Sequence, residues 1–171
     1  ADMTRTYISR HPLDGVLPLE PAIRAVDHLD APRTVAIVSV MAMEGEEASV
    51  TAGLAASDNV SVRFSAPGEW LAVSQSETPQ SLHLNLSLLL AETAYVFDQS
   101  DGRVVFRLSG PNVRRILAKG IATDLHPAVF EVGTSSNVLC GHISVNLART
   151  GENEFELIVM RSFAVALFDD L

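Results

Sequence analysis

Cysteine is nearly missing from this chain. Its 171 residues include one, Cys140. A lone thiol forms no internal disulfide and closes no Cys-based zinc site. Basic residues are also scarce: 12 Lys and Arg stand against 21 Asp and Glu, for a net charge of −9. They are scattered, and Arg114-Arg115 is the only adjacent pair. A nucleic-acid binder needs cations along a groove to replace phosphate counterions, so DNA and RNA are excluded as expected partners. No apolar run approaches the roughly 20 residues of a membrane helix. The opening "ADMTRTYISRHPL" lacks the apolar centre of a signal peptide, which sets an expectation of a cytoplasmic protein. Glycines never fall as G-x-G-x-x-G after a strand, so no flavin or nicotinamide fingerprint is present.

What is abundant is apolar. Hydrophobic residues make up 47% of the chain and charged residues 19%. That excess suits a well-filled core, or a surface reserved for a partner.

Residues 1–20 carry Pro12, Gly15 and Pro18 as breakers and read as an extended N-terminal arm. "PAIRAVDHL", 21–29, reads as a short helix with Pro21 at its first position. "TVAIVSVMAM", 34–43, has the β-branched density of a buried strand. Residues 44–58 read as a loop with a short ordered piece. Val60, Val62, Phe64 and Ala66 alternate as a half-buried strand, and "PGEWLAVS" turns into the next one. In "ETPQSLHLNLSLLLAETA", leucines occur at both two-residue and helical spacing. Thr78-Pro79 is a helix start, and a helix burying Leu82, Leu86, Leu89 and Leu90 is expected.

"FRLSGPNVRRILAKG", 106–120, reads as strand, Ser-Gly-Pro turn and helix. Ser109 is expected to cap that helix, with Val113, Ile116 and Leu117 buried and Gly120 as its left-handed stop. Arg114, Arg115 and Lys119 are placed toward water. "SNVLCGHISVNLART" and "EFELIVMRS" read as a hairpin turning at Gly151. "RSFAVALFDDL" reads as a terminal helix.

The chemistry-bearing residues do not assemble by spacing. Ser109 lacks the G-x-S-x-G surroundings of a nucleophile elbow. One glycine and a Pro without an N–H make a poor phosphate loop. Cys140 and His142 lie two apart and on one strand would share a face, as a nucleophile–base pair or as two metal ligands, but spacing suggests no third ligand and a buried inert Cys beside an edge His is the favoured reading. Asp27, His28 and Asp30 are spaced unlike a calcium loop. Glu44, Glu46 and Glu47 read as a wet acidic loop, and Trp70 as core or an interface anchor.

Three blocks carry a resemblance over roughly residues 60–171: "PGEWLAVS", "DQSDGRVVFRLSGPNVRRILAKGIATDLHPAVF" and "NEFELIVMRSFAVALFDDL". Their order resembles the gamma-subunit family of heterotetrameric sarcosine oxidases. The resemblance implies an α+β fold, antiparallel sheets with packed helices, like the folate-binding domain of glycine-cleavage aminomethyltransferases. It implies one domain over 1–171, with 1–20 as the arm. It also implies alpha, beta and delta partner subunits. Such a complex oxidatively demethylates sarcosine to glycine and makes hydrogen peroxide, with FAD, FMN, NAD, tetrahydrofolate and zinc held by the other chains. In the folate-binding relatives an acidic residue serves the folate from the later strand pair. The corresponding stretch here, 138–150, holds no Asp or Glu, and Ser144 and Asn146 are the nearest polar residues. No catalytic, cofactor-binding or metal-ligating residue is therefore assigned. The expected role is a non-catalytic subunit that supports assembly. A stand-alone folate-binding or one-carbon-transfer domain is the second reading, and a Cys140–His142 enzyme the third.

Overall fold

Strands buried on both faces read as nearly unbroken apolar runs, and "AIVSVMA" and "EFELIVM" are two of them. A computed structural model describes residues 10–17 and 26–171 of the chain. Its strands are β1 (His28–Asp30), β2 (Ala36–Ala42), β3 (Ser61–Ala66), β4 (Glu69–Ser74), β5 (Ala94–Asp98), β6 (Arg103–Ser109), β7 (Ser135–Cys140), β8 (Ile143–Gly151) and β9 (Glu154–Met160). Four α-helices accompany them among the described residues: α1 (Glu47–Ala55), α2 (Pro79–Leu89), α3 (Val113–Leu117) and α4 (Ala164–Asp170).

All strand pairs are antiparallel. They form a five-stranded sheet ordered β1-β6-β9-β8-β7 and a four-stranded sheet ordered β3-β4-β2-β5. Strand alternation builds the layers. Val104, Phe106 and Leu108 of β6, with Phe155, Leu157 and Val159 of β9, pack under α3 and α4. Ala36, Val38 and Val40 of β2 pack under Val50 and Leu54 of α1 and Leu82 and Leu86 of α2. The opposite faces meet in a thin middle layer of Ile37, Leu71, Val73, Val105 and Ile158. The result is helices, sheet, sheet, helices, the α+β architecture expected.

The helix at α2 forms as anticipated. Thr78 Oγ1 accepts a hydrogen bond from the Ser81 N–H at 3.1 Å, and Pro79 opens the first turn. Leu82, Leu86 and Leu90 are buried, whereas Leu89, expected inside, is exposed.

Other local readings are corrected. The helix expected over 21–29 does not extend to its end. His28–Asp30 is strand β1, because the edge of β6 offers it three paired positions, and residues 21–25 lie outside the described residues. The short ordered piece expected within the loop over 44–58 is longer than anticipated, the nine-residue helix α1. Its Gly53 looks like a breaker but marks a close approach, since a Cβ there would lie 2.8 Å from Leu90 Cδ2. The single strand read across 136–150 is two, reversing at Gly141, whose φ is +58°. Gly120 is not a left-handed stop: α3 ends at an αR residue, Ala118. A Cβ on Gly120 would press on Cys140 Sγ at 3.0 Å. Most of the 1–20 arm lies outside the described residues, and within 10–17 Leu13 is fully buried.

Candidate functional site

The Ser-Gly-Pro joint holds the helix start by another means than expected. Ser109 ends β6, paired with His28 and Glu154, and does not cap α3. Asp27 does that work from the neighbouring segment. Its Oδ1 accepts from the Asn112 N–H at 2.9 Å, and its Oδ2 from Asn112 Nδ2 at 3.0 Å. A carboxylate at a helix N-terminus satisfies orphan N–H groups. Gly110 makes the approach possible. Its φ is +131°, and a Cβ would fall 2.5 Å from Asp27 Oδ1 and 2.7 Å from Val26 O. Arg114, expected in water, instead lies over the Phe155 ring at 5.7 Å and donates to Asn153 Oδ1 at 2.8 Å. The joint is a structural clasp.

The remaining sequence candidates stay apart. Cys140 is buried at the end of β7, and His142 is exposed in the turn beyond it, so the two share no face. Burial, and then the Asp170 carboxylate, push the Cys140 thiol above its ordinary pKa, which disfavours the nucleophilic thiolate. Asp27 caps α3, while Asp30 lies 4.0 Å from Arg107. Glu46 precedes α1 without capping it through its side chain. Glu44 and Glu47 are exposed. Trp70 pairs with Val40 and Phe64 and packs against the α1–α2 core. Among the described residues, no three His, Cys, Asp or Glu side chains gather as a metal site.

Asn146, where the resemblance directs the search for a carboxylate, is buried on β8. Its Nδ2 donates to Phe64 O at 2.8 Å and to Asn137 Oδ1 at 2.9 Å. Its Nδ2 is occupied in tying β8 to β3, one strand of each sheet, while its Oδ1 is buried without a hydrogen-bond partner. Ser144 faces solvent.

A cleft of about 680 Å3 opens between the sheets beside the β8–β9 turn. Arg63, Arg107 and Arg149 line it with Glu154 and Glu156. Arg63 and Glu156 are both buried and joined by a salt bridge. Arg107 Nε donates to the other oxygen of Glu156 at 2.9 Å. Burial pulls the Arg63 pKa down, and the Glu156 charge and hydrogen bond oppose that pull. Arg149 is spent on backbone, donating to Phe130 O at 2.9 Å, Glu152 O at 3.0 Å and Gly151 O at 3.1 Å. Both oxygens of Glu156 are engaged by guanidinium N–H groups, which leaves it badly placed to take a substrate proton. Sequence reasoning missed this triad. Its signal was Glu156 itself, an acid in the middle of an apolar strand that demands a buried cation.

Comparison with known proteins agrees with this architecture. The model of the sarcosine oxidase gamma subunit family matches residues 28–170. This chain belongs to the sarcosine oxidase gamma subunit family. Two gamma-family relatives are the sarcosine oxidase gamma subunits of Corynebacterium sp. strain P-1, 33% identical over 62% of this chain, and of Corynebacterium sp. strain U-96, 32% identical over 74%. The matches cover 52% and 58% of those proteins, so the chain spans about half the length of the curated relatives it matches. The gamma-family fold is also seen in a chain of heterotetrameric sarcosine oxidase from Corynebacterium sp. U-96. There the TM-score is 0.80 at 24% identity, covering 95% of this chain and 94% of that one. Aminomethyltransferase T of the glycine cleavage system from Bartonella henselae shares the fold more distantly. Its TM-score is 0.62 at 16% identity, covering 86% of this chain and 45% of that one.

Proposed function

We propose that this chain is a non-catalytic gamma subunit of a heterotetrameric sarcosine oxidase. It assembles with alpha, beta and delta chains, and the complex oxidatively demethylates sarcosine to glycine with release of hydrogen peroxide. FAD, FMN, NAD, tetrahydrofolate and zinc belong to the other subunits, and the complex resides in the cytoplasm. The match of the family model across residues 28–170 carries this reading. Among the described residues, no helix is long and apolar enough to cross a membrane.

Exposed apolar groups support a role in assembly. Leu84 and Leu88, one turn apart on α2, are 58% and 72% exposed, while Leu82 and Leu86 of the same helix are buried. Tyr95 and Phe97 on the edge strand β5 are 55% and 51% exposed. A helix apolar on two sides suits burial against its own core and against a neighbour. Burial of that neighbour's apolar surface favours the assembled state by mass action.

Co-expression of the four subunits, with and without this chain, tests the proposal. With the chain present, a flavin-containing complex forms and produces peroxide from sarcosine. Without it, the yield of assembled complex falls. Full assembly and activity in its absence would refute the role, and sarcosine turnover by the purified chain alone would refute its non-catalytic character.

A further inference from the structure

At the ends of β6 and β9 remote from the cleft, four of the chain's 12 basic residues converge: Arg10, Arg33, Arg103 and Arg161. Arg33, Arg103 and Arg161 line a pit of about 80 Å3 together with His11 and Ser100. His11 and Arg161 also wall a wider depression of about 590 Å3, which adds Arg10 and Met160. Asp101 borders the pit, and Asp14 lies 3.6 Å from Arg33. Among the described residues, four arginines against these two aspartates leave two positive charges in excess, in a chain of net −9.

The pit offers donors. Arg33 Nη1 meets His11 Nδ1, and the Leu13 N–H also points to that nitrogen at 3.3 Å. A guanidinium only donates, so Nδ1 accepts and the ring proton sits on Nε2. Burial and then the Arg33 charge hold His11 below its ordinary pKa. Arg161 spends one Nη on the Arg10 carbonyl. Of the three arginines lining the pit, Arg33 and Arg161 make side-chain hydrogen bonds and Arg103 makes none among the described residues. Its Nε is buried without a hydrogen-bond partner, and no carboxylate among the described residues forms an ion pair with it. Arg63, by contrast, has Glu156. Partly burying a guanidinium with no counter-charge is costly, and an anion would remove that cost.

We propose that this pit binds a small oxyanion, a phosphate or carboxylate group. Arg103 and Arg161 are its cationic contacts, and the adjoining depression takes the body of the molecule that bears it. The proposal is independent of the assembly role. Titration of the full 171-residue chain with inorganic phosphate or with acetate, at ionic strength fixed by chloride, tests it by calorimetry. Saturable binding of either anion supports the site, and the anion that binds names the group. Arg103→Met should weaken binding at least about tenfold, the loss of one charge-assisted hydrogen bond, and Arg161→Gln should weaken it in the same direction. His11 gives a readout in the unmodified chain. Asp14, Arg33 and Arg161 are the charges acting on it, and a bound anion should raise the imidazole pKa seen by NMR. Absence of saturable binding by both anions overturns the proposal. So does native-like binding in Arg161→Gln, which decides the matter if Arg103→Met fails to fold.

Discussion

In a Glu156→Gln variant, Arg63 keeps its burial and loses its counter-charge. The Arg63 side chain is 2% exposed and that of Glu156 6%, so the pair meets water only at the cleft wall. At about 4 Å and an effective dielectric near 20, one pair of unit charges attracts by about 4 kcal/mol. Removing one partner of a buried pair costs about 3–5 kcal/mol, because the other charge stays behind. That is a large share of a typical total stability of about 5–15 kcal/mol. For a chain of this size it lowers Tm by about 6–20 °C. Arg63→Met should cost less than Glu156→Gln, because Glu156 retains Arg107 at 2.9 Å. The double variant Arg63→Met/Glu156→Leu should recover most of the loss, since no buried charge is left alone. Arg107, 30% exposed, can then be hydrated. Urea unfolding followed by circular dichroism measures all three. A loss below about 1 kcal/mol for Glu156→Gln, or a double variant as unstable as that single one, would refute the reasoning.

Further predictions rest on other contacts. Gly110→Ala should destabilise by about 2–4 kcal/mol, from the strain of φ at +131° and the overlap with Asp27, as read by thermal melting. Thr78→Ala should cost about 1 kcal/mol by the same measurement, through loss of the α2 cap. Cys140 should react with a maleimide roughly a hundredfold more slowly in the native chain than in urea, since the reaction requires local opening. His11 has a lowered folded pKa, so the unfolded chain binds the extra proton first. Its contribution to stability is full above about 6.5 and is lost as pH falls through the folded value. Stability between pH 7.5 and pH 5.5 should therefore fall less in His11→Gln than in the native chain, as read by urea midpoints.

Patterns that depend on neighbours in sequence were the legible ones. The β2 run, the Thr78-Pro79 helix start and the β8–β9 reversal at Gly151 all carry local chemistry that the fold respects. What stayed hidden depends on distant partners. His28–Asp30 is extended only because β6 offers an edge. Gly53 sits inside a helix because Leu90 needs the space. Ser109 looked like a cap, but Asp27, remote in sequence, reaches Asn112 first. The alternating leucines of α2 resisted a single period because that helix carries one apolar stripe for its own core and exposes another. The candidate chemistry was read from spacing, and spacing failed at Cys140 and His142, where Gly141 reverses the chain.

The two sheets differ in how the chain supplies them. The four-stranded sheet and its covering helices come from one continuous stretch, 36–98, whereas the five-stranded sheet needs β1 from before that stretch and β6 to β9 from after it. A ribosome therefore releases every strand of the smaller half while β1 still waits for β6. Ile37, Leu71 and Val73 wait with it, without Val105 and Ile158 to cover them. The nascent protein passes through a stage with a greasy flank bared on an otherwise finished half-structure, and it is then that a chaperone has most to grip.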